Sequence, residues 1–296
     1  MSGPGRRWLE LRARAPRAGE RDALLADGLL SLGARGVEEK AGWFVAYFEE
    51  PDALDAFLDR ARSTLVAEIG AEPLLLEHAW QDHEAWEETW RRGLGPRRVT
   101  DRIVVHPSWA PPEGVGPEDV VVVLDPGMAF GTAEHGTTRG CLRLLDDAVG
   151  PGERILDVGA GSGILSIAAA LLGAGEVVAI EGDPLACEAM VENIDRNDVA
   201  DRVSVVQEWA STPSVAAFAP VQGIVANIEA GLLEPLFPGF AAALVPGGWL
   251  IVSGILQEEW AGVRDSLTSQ GFRPTAVDDD GAWCSGAFRR DGGSPA

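Results

Sequence analysis

Hydrophobic positions along the first eighty residues change period on a short scale. Trp8 to Ala13 alternates as a strand does, Arg21 to Leu32 repeats at helical spacing, and Gly42 to Phe48 reads as an aromatic-rich strand. Pro51 opens a second amphipathic helix that runs to Val66, with Leu54, Phe57, Leu58, Ala61 and Leu65 at helical spacing. Leu74 to Leu76 adds a last short strand. With a short strand near Val37 the order is βαββαβ, so residues 1–79 are expected to form a small ferredoxin-like α+β domain. It holds no catalytic constellation, which leaves it a recognition or interaction domain.

The pattern changes at Trp80, where a polar helix is expected through Arg92, with Trp86 and Trp90 one turn apart on one face. Packing between domains is the plain reading of that pair, ahead of a base-stacking surface. Residues 80–118 therefore read as an interdomain helix and linker, containing a short strand from Ile103 to Val105. His83 has no partner at metal-ligand spacing, and no metal site is expected. The basic residues Arg91, Arg92, Arg97 and Arg98 suit a solvated hinge better than an RNA contact.

From residue 119 to 296 the rhythm is that of a large α/β domain. Strands are expected at Val120–Leu124, Ile155–Val158, Val177–Ile180, Val203–Val206, Ile224–Asn227 and Trp249–Gly254, separated by helical segments. A closing hairpin, Arg273–Val277 and Ala282–Phe288, is expected to turn at Asp278-Asp279-Asp280-Gly281. Strands alternating with helices mean a mostly parallel sheet covered on both faces, with any ligand at the carboxyl ends of its strands. Asp157, Glu181 and Asn227 all fall at such ends.

The chemistry concentrates there. Asp157-Val158-Gly159-Ala160-Gly161-Ser162-Gly163 follows a strand and opens the helix Ile164 to Leu172. Glycines at 159, 161 and 163 let the backbone turn tightly and come close to a ligand. Glu181 at the end of the next strand lies where nucleotide folds put a carboxylate on ribose hydroxyls. An acidic Asp157 beside the loop would repel a pyrophosphate but suits a sulfonium and an ammonium, so the indicated ligand is S-adenosylmethionine. Asp157, Gly159, Gly161, Gly163 and Glu181 are its candidate contacts.

Two further segments complete the candidate site. Leu124 to Thr138 is a loop of small residues suited to cover a nucleotide, with Phe130 and Thr138 as candidate cofactor contacts and Thr137 or Thr138 as a helix cap. His135 reads equally as a proton acceptor or a hydrogen-bonded loop residue, and Glu134 as solvated. Asn227, in Val225-Ala226-Asn227-Ile228-Glu229, ends the fourth strand of the nucleotide core, where a side-chain amide can accept hydrogen bonds from a target nitrogen. The prolines and aromatic ring that often follow such an Asn are missing. A flexible aliphatic amine needs no such platform.

These segments, with the tryptophan helix and Val105-His106-Pro107-Ser108-Trp109, resemble the bacterial ribosomal protein L11 methyltransferases (PrmA). The likeness runs through nearly the whole chain, Gly248 to Leu256 included. It implies a Rossmann-like, S-adenosylmethionine-dependent methyltransferase domain behind a ferredoxin-like domain that presents the substrate. It also implies methylation of lysine side chains and of the α-amine of ribosomal protein L11. By matching position, Thr138, Gly159, Glu181 and Asn227 would be cofactor contacts. The chain departs from the family at Ala133 and Gly136, where Gly and Pro are usual, and at Glu181, where Asp is usual.

Composition narrows the picture further. No segment approaches the apolar length of a membrane span and residues 1–20 lack the apolar core of a signal peptide, so a cytoplasmic protein is expected. A monomer is expected as well. Cys141, Cys187 and Cys284 are scattered singly and read as packed residues. The net charge is -22, and residues 140–296 hold 22 acidic against 8 basic side chains. That field disfavours stable nucleic-acid binding and would attract a basic protein, although solubility explains it equally well. The rival functions are methylation of another protein lysine or a small amine, and a catalytically silent cofactor-binding module. In the favoured one Asn227 orients the nitrogen, and His135 is the nearest candidate base.

Overall fold

The computed structural model describes residues 7–15, 20–34, 37–40, 42–51, 53–69, 73–82, 95–125, 131 and 133–292. The chain divides into two compact units, Met1–Gly93 and Leu94–Ala296. Among the described residues no helix is long and apolar enough to cross a membrane.

In the first unit the strands are β1 (Arg7–Arg14), β2 (Val37–Lys40), β3 (Trp43–Glu49) and β4 (Leu75–Asp82), with helices α1 (Glu20–Ser31) and α2 (Leu54–Ile69) between them. Every pairing is antiparallel and the order across the sheet is β2-β3-β1-β4. This is the expected ferredoxin-like arrangement. Leu9, Leu11 and Ala13 face the helices from β1 and meet Leu25, Leu29, Phe57, Ala61 and Leu65 in one core. The helices cross closely at Gly28, where a Cβ would lie 2.8 Å from Leu65 Cδ2. Strand β4 is longer than expected and carries Trp80 to Asp82, which the sequence assigns to a helix. Its pairing along β1, Arg7 opposite Asp82 through Arg14 opposite Leu75, overrides the polar composition. His83, Trp86, Trp90, Arg91 and Arg92 lie outside the described residues.

The second unit is built on a seven-stranded sheet. Its strands are β8 (Arg154–Val158), β9 (Glu176–Glu181), β10 (Val203–Gln207), β11 (Val221–Asn227), β12 (Leu244–Leu256), β13 (Phe272–Asp280) and β14 (Trp283–Arg290). They lie in the order β10-β9-β8-β11-β12-β14-β13, parallel as far as β12 and antiparallel beyond it. The chain runs outward from β8 to β10 and then restarts beside β8 with β11, so the topological switch point lies between β8 and β11. Period-two alternation sends Val177, Ala179, Val225 and Ile251 to one face and Val178, Ile180, Ala226 and Val252 to the other. The first face packs on α3 (Gly136–Ala148), α4 (Ile164–Leu171) and α5 (Pro184–Arg196). The second packs on α6 (Thr212–Ala216), on α8 (Phe237–Ala243), which follows the short α7 (Ala230–Leu233), and on α9 (Trp260–Ser269).

Three expectations need correction here. The strand at Val120–Val123, β7, is not part of the large sheet. It pairs with β6 (Ile103–His106), which pairs with the two-residue β5 (Arg97–Arg98) in a sheet of three. Asn197, at the end of α5, caps the edge of β7, accepting from Val123 N–H and donating to its carbonyl at 2.8 and 2.7 Å. Arg97 and Arg98 are thus strand residues, paired with Glu134 and Asp119 respectively, rather than a solvated hinge. The hairpin turn is also displaced, because β13 continues to Asp280 and the chain turns at Gly281-Ala282. The reason is electrostatic. Asp278 binds Arg143 through both oxygens at 2.6 Å, and Asp280 binds Arg139 at 2.7 and 2.9 Å, so residues typical of turns are held in a strand against α3.

Candidate active site

The site grows from the glycine-rich turn between β8 and α4. Gly159, Gly161 and Gly163 have φ of 72°, 54° and 80°, a region that a side chain disfavours. Two of these glycines are needed for space as well. A Cβ at Gly159 would stand 2.4 Å from Ile228 Cγ2, and one at Gly163 would stand 2.5 Å from Met190 Cγ. The N–H groups of Gly159 and Ala160 both donate to the Ile180 carbonyl, which ties the turn to the end of β9. At that end Glu181 accepts from Gly161 N–H through Oε2 and from Asp183 N–H through Oε1, both at 2.9 Å. Sequence pairs this carboxylate with the glycine loop by distance alone; here the two are hydrogen-bonded.

Asp157 is fully buried one residue before the end of β8. Ser166 of α4 donates to its Oδ2 at 2.6 Å, while its Oδ1 has no partner among the described residues. Burial pushes the carboxyl up to about 7, with the charge of Glu181 adding to the rise against the Ser166 hydrogen bonds. A second buried oxygen, Thr138 Oγ1 in the first turn of α3, is likewise unpartnered among the described residues. Unsatisfied buried acceptors and hydroxyls are costly and rare in folded chains, so such a pair marks positions that a ligand can complete. One of the two belongs to a carboxyl group, so the pair suits a polar, cationic ligand.

The expected threonine cap is not formed. The helix begins at Gly136 with His135 as its N-cap, so Thr137 and Thr138 already lie inside the first turn. His135 Nδ1 and Thr137 Oγ1 are 2.7 Å apart, and the imidazole lies 5.1 Å from the Trp283 ring. Burial, and next the charge of Arg139, lower the His135 pKa to about 4. An imidazole so weakly basic is poorly suited to take a proton from an ammonium. Glu134 is ion-paired with Arg97 rather than simply solvated. Phe130 lies outside the described residues.

Asn227 ends β11 half-buried, opposite Ser253 of β12. Its side chain offers an oxygen that can accept and an amide that can donate. The next residue fixes its place. Ile228 touches the space over Gly159 on one side, and on the other its carbonyl lies where a Cβ of Gly254 would come within 2.4 Å. Gly254, with φ of 82°, sits where the β12–β14 register shifts between Val252 and Ile255. Two glycines therefore hold the Asn227 end of β11 against the glycine-rich turn.

Sequence reasoning passed over several residues that shape this site. Ser162 donates to the Gly131 carbonyl at 2.6 Å and joins the covering loop to the glycine turn. Arg139 donates to the Glu134 carbonyl at 2.5 Å while bound to Asp280, which anchors the same loop from the hairpin. Trp209, just beyond β10, is 76% exposed and lies over Gly182. A large exposed aromatic beside a strand end is a signal available from the sequence once the strand is placed.

A sequence profile described as ribosomal protein L11 methyltransferase (PrmA) matches residues 22–291, nearly the whole chain. The protein belongs to that family. A ribosomal protein L11 methyltransferase of Pelotomaculum thermopropionicum is 44% identical over 209 residues, 70% of this chain and 66% of the relative. One from Symbiobacterium thermophilum is 41% identical and matched over 65% of its own length, so the aligned part spans just under two thirds of these two relatives. The match to the Thermus thermophilus protein of the same name is longer, 35% identical over 89% of this chain and 93% of that one. A solved ribosomal protein L11 methylase from Lactobacillus delbrueckii subsp. bulgaricus superposes with a TM-score of 0.59 at 29% identity, covering 67% of this chain and 99% of that chain.

Proposed function

We propose that this PrmA-family chain is an S-adenosylmethionine-dependent protein methyltransferase acting in the cytoplasm on ribosomal protein L11, at lysine side chains and the α-amine. The observation that carries the reading is the junction of three strand ends. Glu181 is bonded to the glycine loop, and Ile228 presses the Asn227 end of β11 onto the same loop. A nucleoside held by Glu181 and the loop thus lies beside an amide suited to a nitrogen. When bound, the cofactor supplies an electrophilic methyl group on a sulfonium.

The chain's own contribution is placement and exclusion of water. Gly159, Gly161 and Gly163 form the tight turn that the ligand lies against, Glu181 accepts from ribose hydroxyls through its remaining lone pairs, and Thr138 Oγ1 and Asp157 Oδ1 find polar partners. Asn227 accepts a hydrogen bond from the amine and directs its lone pair. The amine must be neutral to react. At pH 7 that costs about 4–5 kcal/mol for a lysine and about 1 kcal/mol for an α-amine. With His135 held near 4, the proton leaves chiefly to solvent before the amine enters. The first unit, with its separate core, presents the protein substrate, and the acidic surface of the second attracts a basic one.

Incubation with methyl-labelled cofactor and a set of ribosomal proteins tests this. Label on L11 lysines and α-amine is the expected result. Label on a different protein, or on none, removes the L11 assignment.

A further inference from the structure

The four strand ends that bound the site lie in one row. Across adjacent strands β11, β8, β9 and β10 the chain places Asn227, Gly159, Glu181 and then the segment Glu208-Trp209, each strand about 4.8 Å from the next. A conjugate whose transferable carbon meets Asn227 and whose ribose meets Glu181 must carry its base onward, toward the end of β10. There the Glu208 N–H donates to the Glu181 carbonyl at 2.9 Å, which ties the residue before Trp209 directly to the ribose carboxylate's own backbone.

Trp209 is held by its fused ring over Gly182. A Cβ at Gly182 would come within 2.2, 2.5 and 2.6 Å of the indole atoms Cδ2, Cε3 and Cε2. Gly182 has no positive φ, so its backbone does not demand glycine; the missing side chain makes room for the indole. Yet the indole remains 76% exposed, so little of its surface is used by the fold. An aromatic face that rests on Gly182 and is open to solvent beside the proposed ribose carboxylate can serve as a stacking platform for a planar base.

We infer that Trp209 is a base-recognising residue of this chain, stacking on the purine of the cofactor nucleoside, with Gly182 present to seat the indole. The inference rests on the proposed use of S-adenosylmethionine.

Calorimetry on the full chain tests it with two ligands, S-adenosylhomocysteine and S-ribosylhomocysteine, which lacks the base. Trp209→Ala should raise the Kd for S-adenosylhomocysteine about ten-fold or more and leave S-ribosylhomocysteine unchanged. Trp209→Phe, which keeps a ring, should restore most of the affinity. Gly182→Ala should also weaken the nucleoside ligand, and the double variant should be no worse than Trp209→Ala alone, since both act through one indole. Unchanged S-adenosylhomocysteine affinity in folded Trp209→Ala overturns the inference and leaves the cofactor assignment standing. Equal weakening of both ligands also overturns it, because the indole would then shape the loop and not read the base. Failure of the unsubstituted protein to bind S-adenosylhomocysteine removes the cofactor assignment and this inference with it.

Discussion

Replacing Asp157 by Asn tests whether the glycine turn is built around a carboxyl that the fold prefers protonated. The substitution is nearly isosteric, and the Asn carbonyl can accept the 2.6 Å hydrogen bond from Ser166. A carboxyl titrating near 3.8 outside the fold and near 7 inside it binds its proton more tightly when folded. Its contribution to stability is therefore fully present below pH 3.8 and is lost as the pH rises through 7. About three pH units at 1.36 kcal/mol each amount to a penalty of about 4 kcal/mol once the group is ionised. Urea unfolding of both proteins from pH 4 to pH 8 reads this as a difference, which cancels the other acidic groups. The stability of Asp157→Asn relative to the unsubstituted protein should climb by about 4 kcal/mol over that span and level off above pH 8. Saturating S-adenosylhomocysteine should flatten the climb, since an ammonium near the carboxylate favours ionisation. Parallel pH profiles for the two proteins would refute the reasoning.

Further outcomes follow from the same geometry. Glu181→Ala removes the acceptor of two backbone N–H groups together with the proposed ribose contact and should weaken S-adenosylhomocysteine by about 1.5–3 kcal/mol in calorimetry; unchanged affinity would place the nucleoside elsewhere. Asn227→Ala should slow single-turnover methylation at saturating ligands about ten-fold while changing the KM for the protein substrate less, and a normal rate would show that the amide does not orient the nitrogen. With His135 neutral above about pH 5, log kcat/KM for the protein substrate at saturating cofactor should rise toward the pKa of the substrate amine with no break near 6.5, and His135→Asn should keep that profile. A fragment of residues 94–296 should bind S-adenosylhomocysteine like the full chain and lose methylation of L11; equal turnover would separate the first unit from substrate choice.

What could be read from the sequence was local. The glycine turn, the acidic end of β9 and the Asn at the end of β11 each sit within a few residues of a strand whose apolar run announces it. The ferredoxin-like order followed in the same way from period changes. What escaped depends on partners far along the chain. Val120–Val123 looks like any buried strand, and only Asn197 and β6 decide that it lies outside the large sheet. Asp278 and Asp280 read as a turn until Arg143 and Arg139, more than 130 residues earlier, hold them extended. Thr137 and Thr138 are plausible caps by residue type, yet the helix starts at Gly136, which packs so closely on β13 that a Cβ there would lie 3.0 Å from the Asp280 carbonyl oxygen. Asp157 was legible as acidic and not as buried, so its raised pKa was hidden.

The cost of building this end of the sheet argues for its use. Three left-handed glycines, a register shift at Ser253-Gly254 and two buried oxygens without a partner among the described residues all work against stability, and all lie in the segments at or leading into the carboxyl ends of β8, β11 and β12 or in the helix over them. A fold optimised only for stability would pair Thr138 Oγ1 and Asp157 Oδ1 or replace them with apolar groups, as it does on the opposite face with Val158, Ala226 and Phe240. Each unfavourable feature instead brings backbone within reach of the junction between Glu181 and Asn227. On the proposed reading, binding that satisfies both oxygens would return free energy that the fold alone gives up, which would make the ligand part of the structural logic of the unit.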